Sequence, residues 1–139
     1  MSFTESELYL LLNCGNRPLW LANANLEEAV LRGVCLAGAN LRKASLRGAK
    51  LTGANLSNSD LRNARLTEAS LQGANLTGAD LRKTNLRDTS LENADLTGAD
   101  LTGAYLYNTD LTGAKVTDEQ LSQAWSLEGA IMPDGTKHD

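Results

Sequence analysis

A leucine recurs at every fifth position from Leu21 to Leu111, and Val116 closes the series. With two residues on either side, these central positions form twenty consecutive pentads over residues 19–118. The residue two before the centre is small or apolar, and it is alanine in fourteen of the twenty pentads. A period of five fits neither a helix face, which repeats at about 3.6 residues, nor a strand, which repeats at about two. The pattern therefore predicts a short repeated unit of another kind.

Each pentad is expected to be a short strand followed by a tight turn. The central residue and the residue two before it point to one side of an extended segment, so both face inward. The position between them faces outward and holds Asn or Asp in ten pentads. A type II turn needs a positive φ at its third residue, where segments such as Leu51–Ala54 place glycine. Pentads such as Leu26–Ala29, which carry Glu28 at that place, are expected to use a different turn.

The repeated motif A-(N/D)-L-x-x carries a family resemblance. It is seen in Ala39-Asn40-Leu41-Arg42-Lys43 and again forty residues later. In this motif and its register the chain resembles the pentapeptide-repeat proteins. The resemblance implies an all-β solenoid, a right-handed quadrilateral parallel β-helix with four pentads per coil and about five coils. Because parallel strands lie about 4.8 Å apart, such a stack is roughly 24 Å tall.

Short helical caps are expected at both ends of the solenoid. Residues 1–18 are predicted to form an N-terminal helical cap, since Thr4 and Glu7 make a capping box. The solenoid is assigned to residues 19–118, and residues 119–139 to a C-terminal helix, a last strand and a tail.

The C-terminal region begins with a second capping box, formed by Thr117 and Gln120, and its helix is expected to end at about Ala124 or Trp125. Residues 127–132 then resume the pentad pattern one residue out of frame, which predicts a last strand. Pro133 is expected to end the pairing, and residues 136–139 to form a loose tail.

Composition supports a core of leucine and alanine, because 42% of the residues are hydrophobic but only 4% are aromatic. Two cysteines, Cys14 and Cys35, do not make a disulfide framework and are expected to be reduced. No apolar run reaches the length of a membrane helix, and the N-terminus lacks the features of a signal peptide. These observations favour a cytoplasmic protein.

Outward positions stack at a spacing of twenty residues, which places two charged columns on one side of the predicted solenoid. One column contains Arg42, Arg62 and Arg82, and the other contains Asp60, Asp80 and Asp100. Three interpretations stay open: mutual compensation by diagonal ion pairs, a strip that docks a protein, and a calcium site between the aspartates. We include these six residues in a candidate interaction surface.

Two tyrosines near the end of the solenoid, Tyr105 and Tyr107, complete that candidate surface. Aromatic residues are enriched in protein interfaces, so these two are candidates for a dimer contact. The competing interpretation is burial beneath the tail around Trp125. The sequence thus leaves open a monomer or a weak homodimer through the C-terminal coil.

Enzyme chemistry finds little support in this sequence. The only histidine, His138, lies in the predicted tail, and no Cys and His residues have zinc-binding spacing. The glycines follow the pentad turns and form no phosphate-binding loop. We therefore expect no catalytic residues, no cofactor and no bound metal.

Charge separates the remaining possibilities. Some pentapeptide-repeat proteins resemble B-DNA in shape and acidity, bind the topoisomerase DNA gyrase and protect it from quinolones. Here residues 19–118 contain eleven basic and eleven acidic residues, and the acidic balance rises only after Asp88. Neutrality also disfavours binding to nucleic acid. The leading hypothesis is a non-catalytic rigid scaffold for an unknown protein partner, and the alternative is a DNA mimic that binds gyrase.

Overall fold

The computed structural model describes residues 19–139. Residues twenty apart pair in parallel along the chain, from Trp20 with Asn40 to Asp95 with Lys115. Each stretch of twenty residues contributes four such pairing positions, spaced five apart, so each coil has four sides of one pentad each. Each strand is reduced to a single bridging residue, which explains why neither helix nor strand periodicity describes the sequence.

The core consists of the central residues that the pentad frame predicts to point inward. Every central leucine from Leu21 to Leu111 is at most 4% exposed. Where threonine replaces the inward alanine, its hydroxyl donates to a carbonyl of the preceding coil, as Thr84 does to Leu61 at 2.7 Å. Among the described residues, no buried side-chain nitrogen or oxygen lacks a hydrogen-bond partner. The interior therefore accepts hydroxyl groups without an unsatisfied donor.

The turns are more uniform than expected from the sequence. In the pentad of Leu26, the amide of Ala29 donates to the carbonyl of Leu26 at 3.1 Å, as in the other turns. Glu28 has a φ of 59° there, so the expectation of a different turn is wrong. A left-handed residue with a side chain costs about 1–2 kcal/mol. The bond from the amide of Glu28 to the carbonyl of Arg47, at 2.8 Å, helps to offset that cost.

Backbone amides are satisfied mainly by the next coil. The amide of Leu41 donates to the carbonyl of Asp60 at 2.7 Å, and the amide of Lys43 to that of Arg62 at 3.1 Å. The amide of Ala44 closes the turn on Leu41 at 3.0 Å. Because these bonds recur in pentad after pentad, the coils are held together mainly through the backbone.

The outward Asn or Asp has a structural role in its own pentad. The amide of Asn40 bonds to the carbonyl of Leu19 in the preceding coil at 2.8 Å. Its side-chain Oδ1 accepts the amide of Arg42 at 3.2 Å, the one amide of the pentad with no backbone acceptor. All ten pentads with Asn or Asp at this position make the bond, through Asn25, Asn40, Asn55, Asp60, Asn75, Asp80, Asn85, Asp95, Asp100 and Asp110.

A short helix, α1 (Asp118–Ser122), interrupts the coils. The capping box of Thr117 and Gln120 is present, which confirms that prediction, but the helix ends two or three residues earlier than expected. The side-chain amide of Gln120 also donates to the carbonyls of Leu96 and Ala99, at 2.7 and 2.9 Å. Gln120 thus helps to cap the N-terminus of the helix and also donates hydrogen bonds to two carbonyl groups of the preceding coil.

Beyond α1 the chain returns to the coil. Tyr105 pairs with Ser126 and Asp110 pairs with Ile131, at a spacing of twenty-one residues in place of twenty. The amide of Ala130 closes a turn on Leu127 at 2.9 Å. The predicted last strand and its one-residue shift of frame are therefore confirmed.

The C-terminal tail folds back on this last strand. Lys137 pairs with Ile131 in antiparallel fashion. The amide of His138 donates to the carbonyl of Ala130 at 2.7 Å, and the amide of Gly129 donates to the carbonyl of His138 at 3.0 Å. The expectations of a loose tail and of pairing that ends at Pro133 are wrong. The tail supplies bonds to a strand that otherwise presents an open edge.

Three further expectations concern the ends and the compartment. The predicted N-terminal helical cap, with Thr4 and Glu7, lies outside the described residues. Cys35 is disulfide-bonded, so the expectation that it is reduced is wrong. Over residues 19–139, no helix has the length and apolar character needed to cross a membrane.

The glycines at the corners provide a test of this packing. A Cβ added to Gly113 overlaps Oδ1 of Asn93 and lies 3.3 Å from its Cγ, whereas a Cβ at Gly73 meets nothing within 4 Å. Both glycines have a positive φ, so both alanine variants share the strain of about 1 kcal/mol. We expect Gly73→Ala to lower the free energy of unfolding by about 1 kcal/mol and Gly113→Ala by a few tenths of a kcal/mol more, measured by urea denaturation, because the end of the Asn93 side chain can move aside.

The larger loss of stability expected for Gly113→Ala is caused by one neighbouring residue, Asn93. Adding Asn93→Gly to Gly113→Ala is expected to remove the difference, because consecutive glycines already follow one another in this column at Gly53 and Gly73. Equal losses for Gly113→Ala and Gly73→Ala, or no gain from Asn93→Gly, contradict the packing described for this corner.

Candidate interaction surfaces

One side of the stack, here called the Asp–Arg wall, carries two parallel columns of outward side chains. Bridges twenty residues apart connect the residues of the first column in a single line. The second column lies two residues further along each pentad. The first column is Trp20, Asn40, Asp60, Asp80 and Asp100, and the second is Ala22, Arg42, Arg62, Arg82 and Thr102.

Arginine and aspartate neutralise each other on this wall. Arg62 donates to both oxygens of Asp60, from Nε at 2.9 Å and from Nη2 at 2.7 Å. Arg82 makes the same two-point contact with Asp80, at 2.8 and 2.6 Å. The contacts between coils are longer, at 3.4 Å from Arg62 to Asp80 and 3.7 Å from Arg82 to Asp100.

The interpretation of mutual compensation is therefore confirmed, although the shortest pairs lie within a pentad and the diagonal pairs are secondary. Arg42 has only the diagonal contact, at 4.0 Å from Asp60, because Asn40 replaces an aspartate beside it. The strip that docks a protein stays a prediction.

Calcium finds no support on the wall. The hydrogen bond from Arg62 holds the pKa of Asp60 below its usual value, and Arg82 does the same for Asp80. Their negative charge is thus neutralised by arginine, which opposes the binding of a cation. Within residues 19–139, no group of three or more His, Cys, Asp or Glu side chains is placed to hold a metal ion.

The lowered pKa of Asp80 predicts a dependence of stability on pH. A carboxyl whose pKa is lower in the folded state stabilises the fold at pH above its unfolded pKa, and that stabilisation is lost as pH falls through the folded pKa. Asp80→Asn removes the charge but keeps an oxygen for the amide of Arg82. We expect this variant to be less stable than the unmodified chain at pH 7 and to match it near pH 2, measured by urea denaturation.

A second variant separates charge from backbone bonding. Asp80→Ala also removes the acceptor for the amide of Arg82, which adds a loss of about 1 kcal/mol that persists at pH 7 and at low pH. If Asp80→Asn and Asp80→Ala have the same stability, the side-chain bond to the backbone contributes nothing. If Asp80→Asn follows the pH profile of the unmodified chain, Asp80 does not carry the pH dependence.

Three further aromatic residues, Tyr105, Tyr107 and Trp125, lie at the opposite end of the stack from Trp20. The rings of Tyr105 and Trp125 are 6.3 Å apart between centroids and tilted by 55°. Trp125 is 70% exposed and Tyr105 is 36% exposed. Trp125 therefore contacts Tyr105 without burying it, so the interpretation of burial beneath the tail is wrong for Tyr105. Tyr107 is half-buried and lines a cavity of about 300 Å³ with Arg87, Asn108 and Glu128. The dimer contact through the two tyrosines stays a prediction.

A bulge places Trp125 on the surface. Its amide donates to the carbonyl of Ala104 at 2.8 Å, while the amide of Leu106 donates to the carbonyl of Ser126 at 3.0 Å. Trp125 and Ser126 together thus face Tyr105 alone, which is the arrangement of a β-bulge. Sequence reasoning did not select Trp125. The available signal was the extra residue in the pentad frame, which coincides with the only tryptophan of this end.

Comparison with known proteins follows the same repeats. The sequence pattern of the family of pentapeptide repeats matches residues 20–48, 44–82 and 79–118, in eight copies. No curated protein matches the chain by sequence.

Several solved structures are similar to the chain. HetL, a pentapeptide repeat protein involved in heterocyst differentiation regulation from the cyanobacterium Nostoc sp. strain PCC 7120, is 37% identical. That match covers 87% of this chain and 67% of HetL, with a TM-score of 0.40. Rfr23 from the cyanobacterium Cyanothece 51142 is 29% identical, and its match covers 83% and 91% of the two chains with a TM-score of 0.57. A protein from the Arabidopsis thaliana thylakoid lumen is 32% identical, covering 75% and 72%, with a TM-score of 0.46.

The matched repeats span most of the described residues, and the matched structures are pentapeptide repeat proteins. This similarity implies a right-handed quadrilateral β-helix. The chain belongs to the pentapeptide-repeat family.

Proposed function

We propose that this protein is a non-catalytic, rigid scaffold that binds another protein through its aromatic C-terminal end. The observation that carries the proposal is the exposed Trp125, held by a bulge against Tyr105. Tryptophan, tyrosine and arginine are the residues that most often dominate binding energy in interfaces. Arg87 and Tyr107 lie beside a neighbouring cavity and extend the same surface.

Charge indicates the chemistry of the partner. Residues 88–139 contain ten acidic and two basic residues, whereas residues 19–87 contain five acidic and ten basic residues. Glu128 lines the cavity beside Tyr107 and also a second cavity, of about 460 Å³, whose lining includes Trp125 and His138. A basic segment suits this surface, because a Lys or Arg side chain is attracted both to carboxylates and to the face of an aromatic ring.

The proposal assumes the right-handed stack of about five coils expected from the sequence. A fixed backbone holds outward side chains in constant positions, which reduces the entropy lost on binding. The cytoplasmic location stays a prediction, and the disulfide at Cys35 removes one of its premises. Fractionation of the native cell, followed by detection of the protein, tests the location.

Affinity capture from the native cell, with identification of the bound proteins, tests the function. Trp125→Ala is expected to lose a partner that the unmodified chain retains. Val30→Ala is the control, because Val30 is also an exposed hydrophobic residue, at 55%, but lies near the other end of the stack. A partner that binds the Trp125→Ala variant as well as it binds the unmodified chain contradicts a role for the aromatic end.

A DNA mimic that binds gyrase is the second candidate, and the acidic balance of residues 88–139 favours it. Against it, Arg62 and Arg82 interrupt one wall where a mimic needs carboxylates, and residues 19–87 have a basic excess. We therefore expect no inhibition in a gyrase supercoiling assay. Inhibition at concentrations comparable to that of gyrase replaces the scaffold proposal with this one.

A further inference from the structure

The two columns of the Asp–Arg wall are complementary to each other in size and charge. The first column begins with Trp20, which is 81% exposed, and the second begins with the small Ala22. Further along, short acidic Asp60 stands beside long basic Arg62, and Asp80 beside Arg82. A large side chain therefore lies beside a small one at one end of the wall, and negative side chains lie beside positive ones in the middle.

We propose that the Asp–Arg wall is the interface of a homodimer in which two copies lie side by side with their stacks parallel. The two-fold axis runs along the stack, between the two walls. Rotation about this axis places the first column of one copy opposite the second column of the other, coil for coil.

The contacts follow from the columns. Asp60 faces the partner's Arg62, and Asp80 faces the partner's Arg82. Trp20 lies over the partner's Ala22, which leaves room for the indole. Because the axis is two-fold, every contact occurs twice. Both copies repeat along the stack at the spacing of parallel strands, about 4.8 Å, so the charged positions stay in register over the wall.

Hydrogen-bonding capacity remains for these contacts. Arg62 uses Nε and one N–H of Nη2 on Asp60, so three of the five N–H donors of its guanidinium are left. These donors can bind Asp60 of the partner, whose Oδ2 accepts one hydrogen bond within its own copy, without breaking the bonds of the pair. Two-point arginine–carboxylate contacts are also pre-oriented, which limits the entropy lost when the walls meet.

A second copy fits this wall better than a strongly charged partner. The two columns contain three arginines and three aspartates, so their net charge is zero. The alternative two-fold axis, perpendicular to the stack, places aspartate on aspartate and arginine on arginine. Repulsion between like charges disfavours that antiparallel arrangement.

Sedimentation velocity over a range of protein concentrations tests the dimer. The unmodified chain is expected to show a reversible monomer–dimer equilibrium that weakens as NaCl is raised from 0.05 to 0.5 M, roughly the range over which screening of exposed charges becomes strong. Trp20→Ala is expected to raise the dissociation constant by about tenfold or more, because the tryptophan contact is lost twice.

A pair of complementary variants tests the arrangement itself. Ala22→Trp places a second large ring against the partner's Trp20 and is also expected to prevent dimerisation. When Ala22→Trp and Trp20→Ala are mixed, each contact again joins one tryptophan to one alanine, so a heterodimer is expected. Tyr107 occupies the position of Ala22 in another pentad, so an aromatic residue is compatible with this place in the fold.

Three results overturn the proposal. The first result is that the unmodified chain is a monomer at all concentrations in low salt. Another is a dimer that Trp20→Ala leaves unchanged, which assigns the interface to another surface. The last is a mixture of two folded variants, checked by circular dichroism, that fails to form a heterodimer. Trp125→Ala is the control and is expected to dimerise like the unmodified chain.

Discussion

Leu71→Asp is expected to abolish the native fold. Leu71 is a central residue with 0% exposure, surrounded by the leucines and alanines of neighbouring coils. A carboxylate there has no ion-pair partner, and burying an unpaired charge costs more than about 4 kcal/mol. Because the total stability of a small domain is about 5–15 kcal/mol, one such change removes most or all of it.

The neighbouring position provides the control. Gln72 is half-exposed and faces away from the core, so Gln72→Asp is expected to change the free energy of unfolding by less than about 1 kcal/mol. Circular dichroism with urea denaturation distinguishes the two variants. Equal stability of Leu71→Asp and Gln72→Asp shows that the pentad frame is wrong, since the frame alone places one residue inside and the next outside.

The core was predictable because the pentad repeat determines which residues point inward. Once a leucine falls on every fifth residue, a single choice of frame fixes the inward positions from Leu21 to Leu111. No compensation between distant residues is needed, since each coil repeats the one before it. The columns of Arg62 and Asp80 followed from the same frame at a spacing of twenty residues.

The turns were mispredicted because local preference was given too much weight. Glu28 and Lys43 have φ values of 59°, although glycine or asparagine is favoured there. A preference of about 1–2 kcal/mol is overcome by bonds that the whole coil makes with the next. The same reasoning missed the bond that the amide of Arg82 donates to Asp80, since an outward carboxylate was interpreted only as a charge.

The C-terminal end was partly predictable for a different reason. The capping box of α1 is a local signal, and it was identified correctly. The bulge at Trp125 and the pairing of Lys137 with Ile131 depend on which strand is left open after the helix. That information is not local in the sequence, so the exposure of Trp125 and the pairing of the tail could be found only from the structure.

Gln120→Glu is expected to lower the free energy of unfolding by about 3 kcal/mol, which is the opposite of the expectation from local sequence rules. Glutamate suits this position of a capping box, and an acidic residue is favourable in the first turn of a helix. In this fold, however, the side-chain nitrogen of Gln120 donates to the carbonyls of Leu96 and Ala99 at 2.7 and 2.9 Å. Glutamate has no donor there, so its oxygen meets two carbonyl oxygens at a half-buried site.

The cause of the loss can be tested by pH, since the carboxyl of the variant has its pKa raised by burial and by the two carbonyls. A group with a raised folded pKa is destabilising at high pH, and the penalty falls as pH drops through that pKa and the carboxyl becomes a donor. Urea denaturation of the Gln120→Glu variant from pH 8 to pH 4 is expected to show the loss shrinking. Gln123→Glu adds the same charge at an exposed position near the helix and should show no such recovery. If Gln120→Glu is as stable as the unmodified chain at pH 8, the carbonyls of Leu96 and Ala99 do not depend on Gln120.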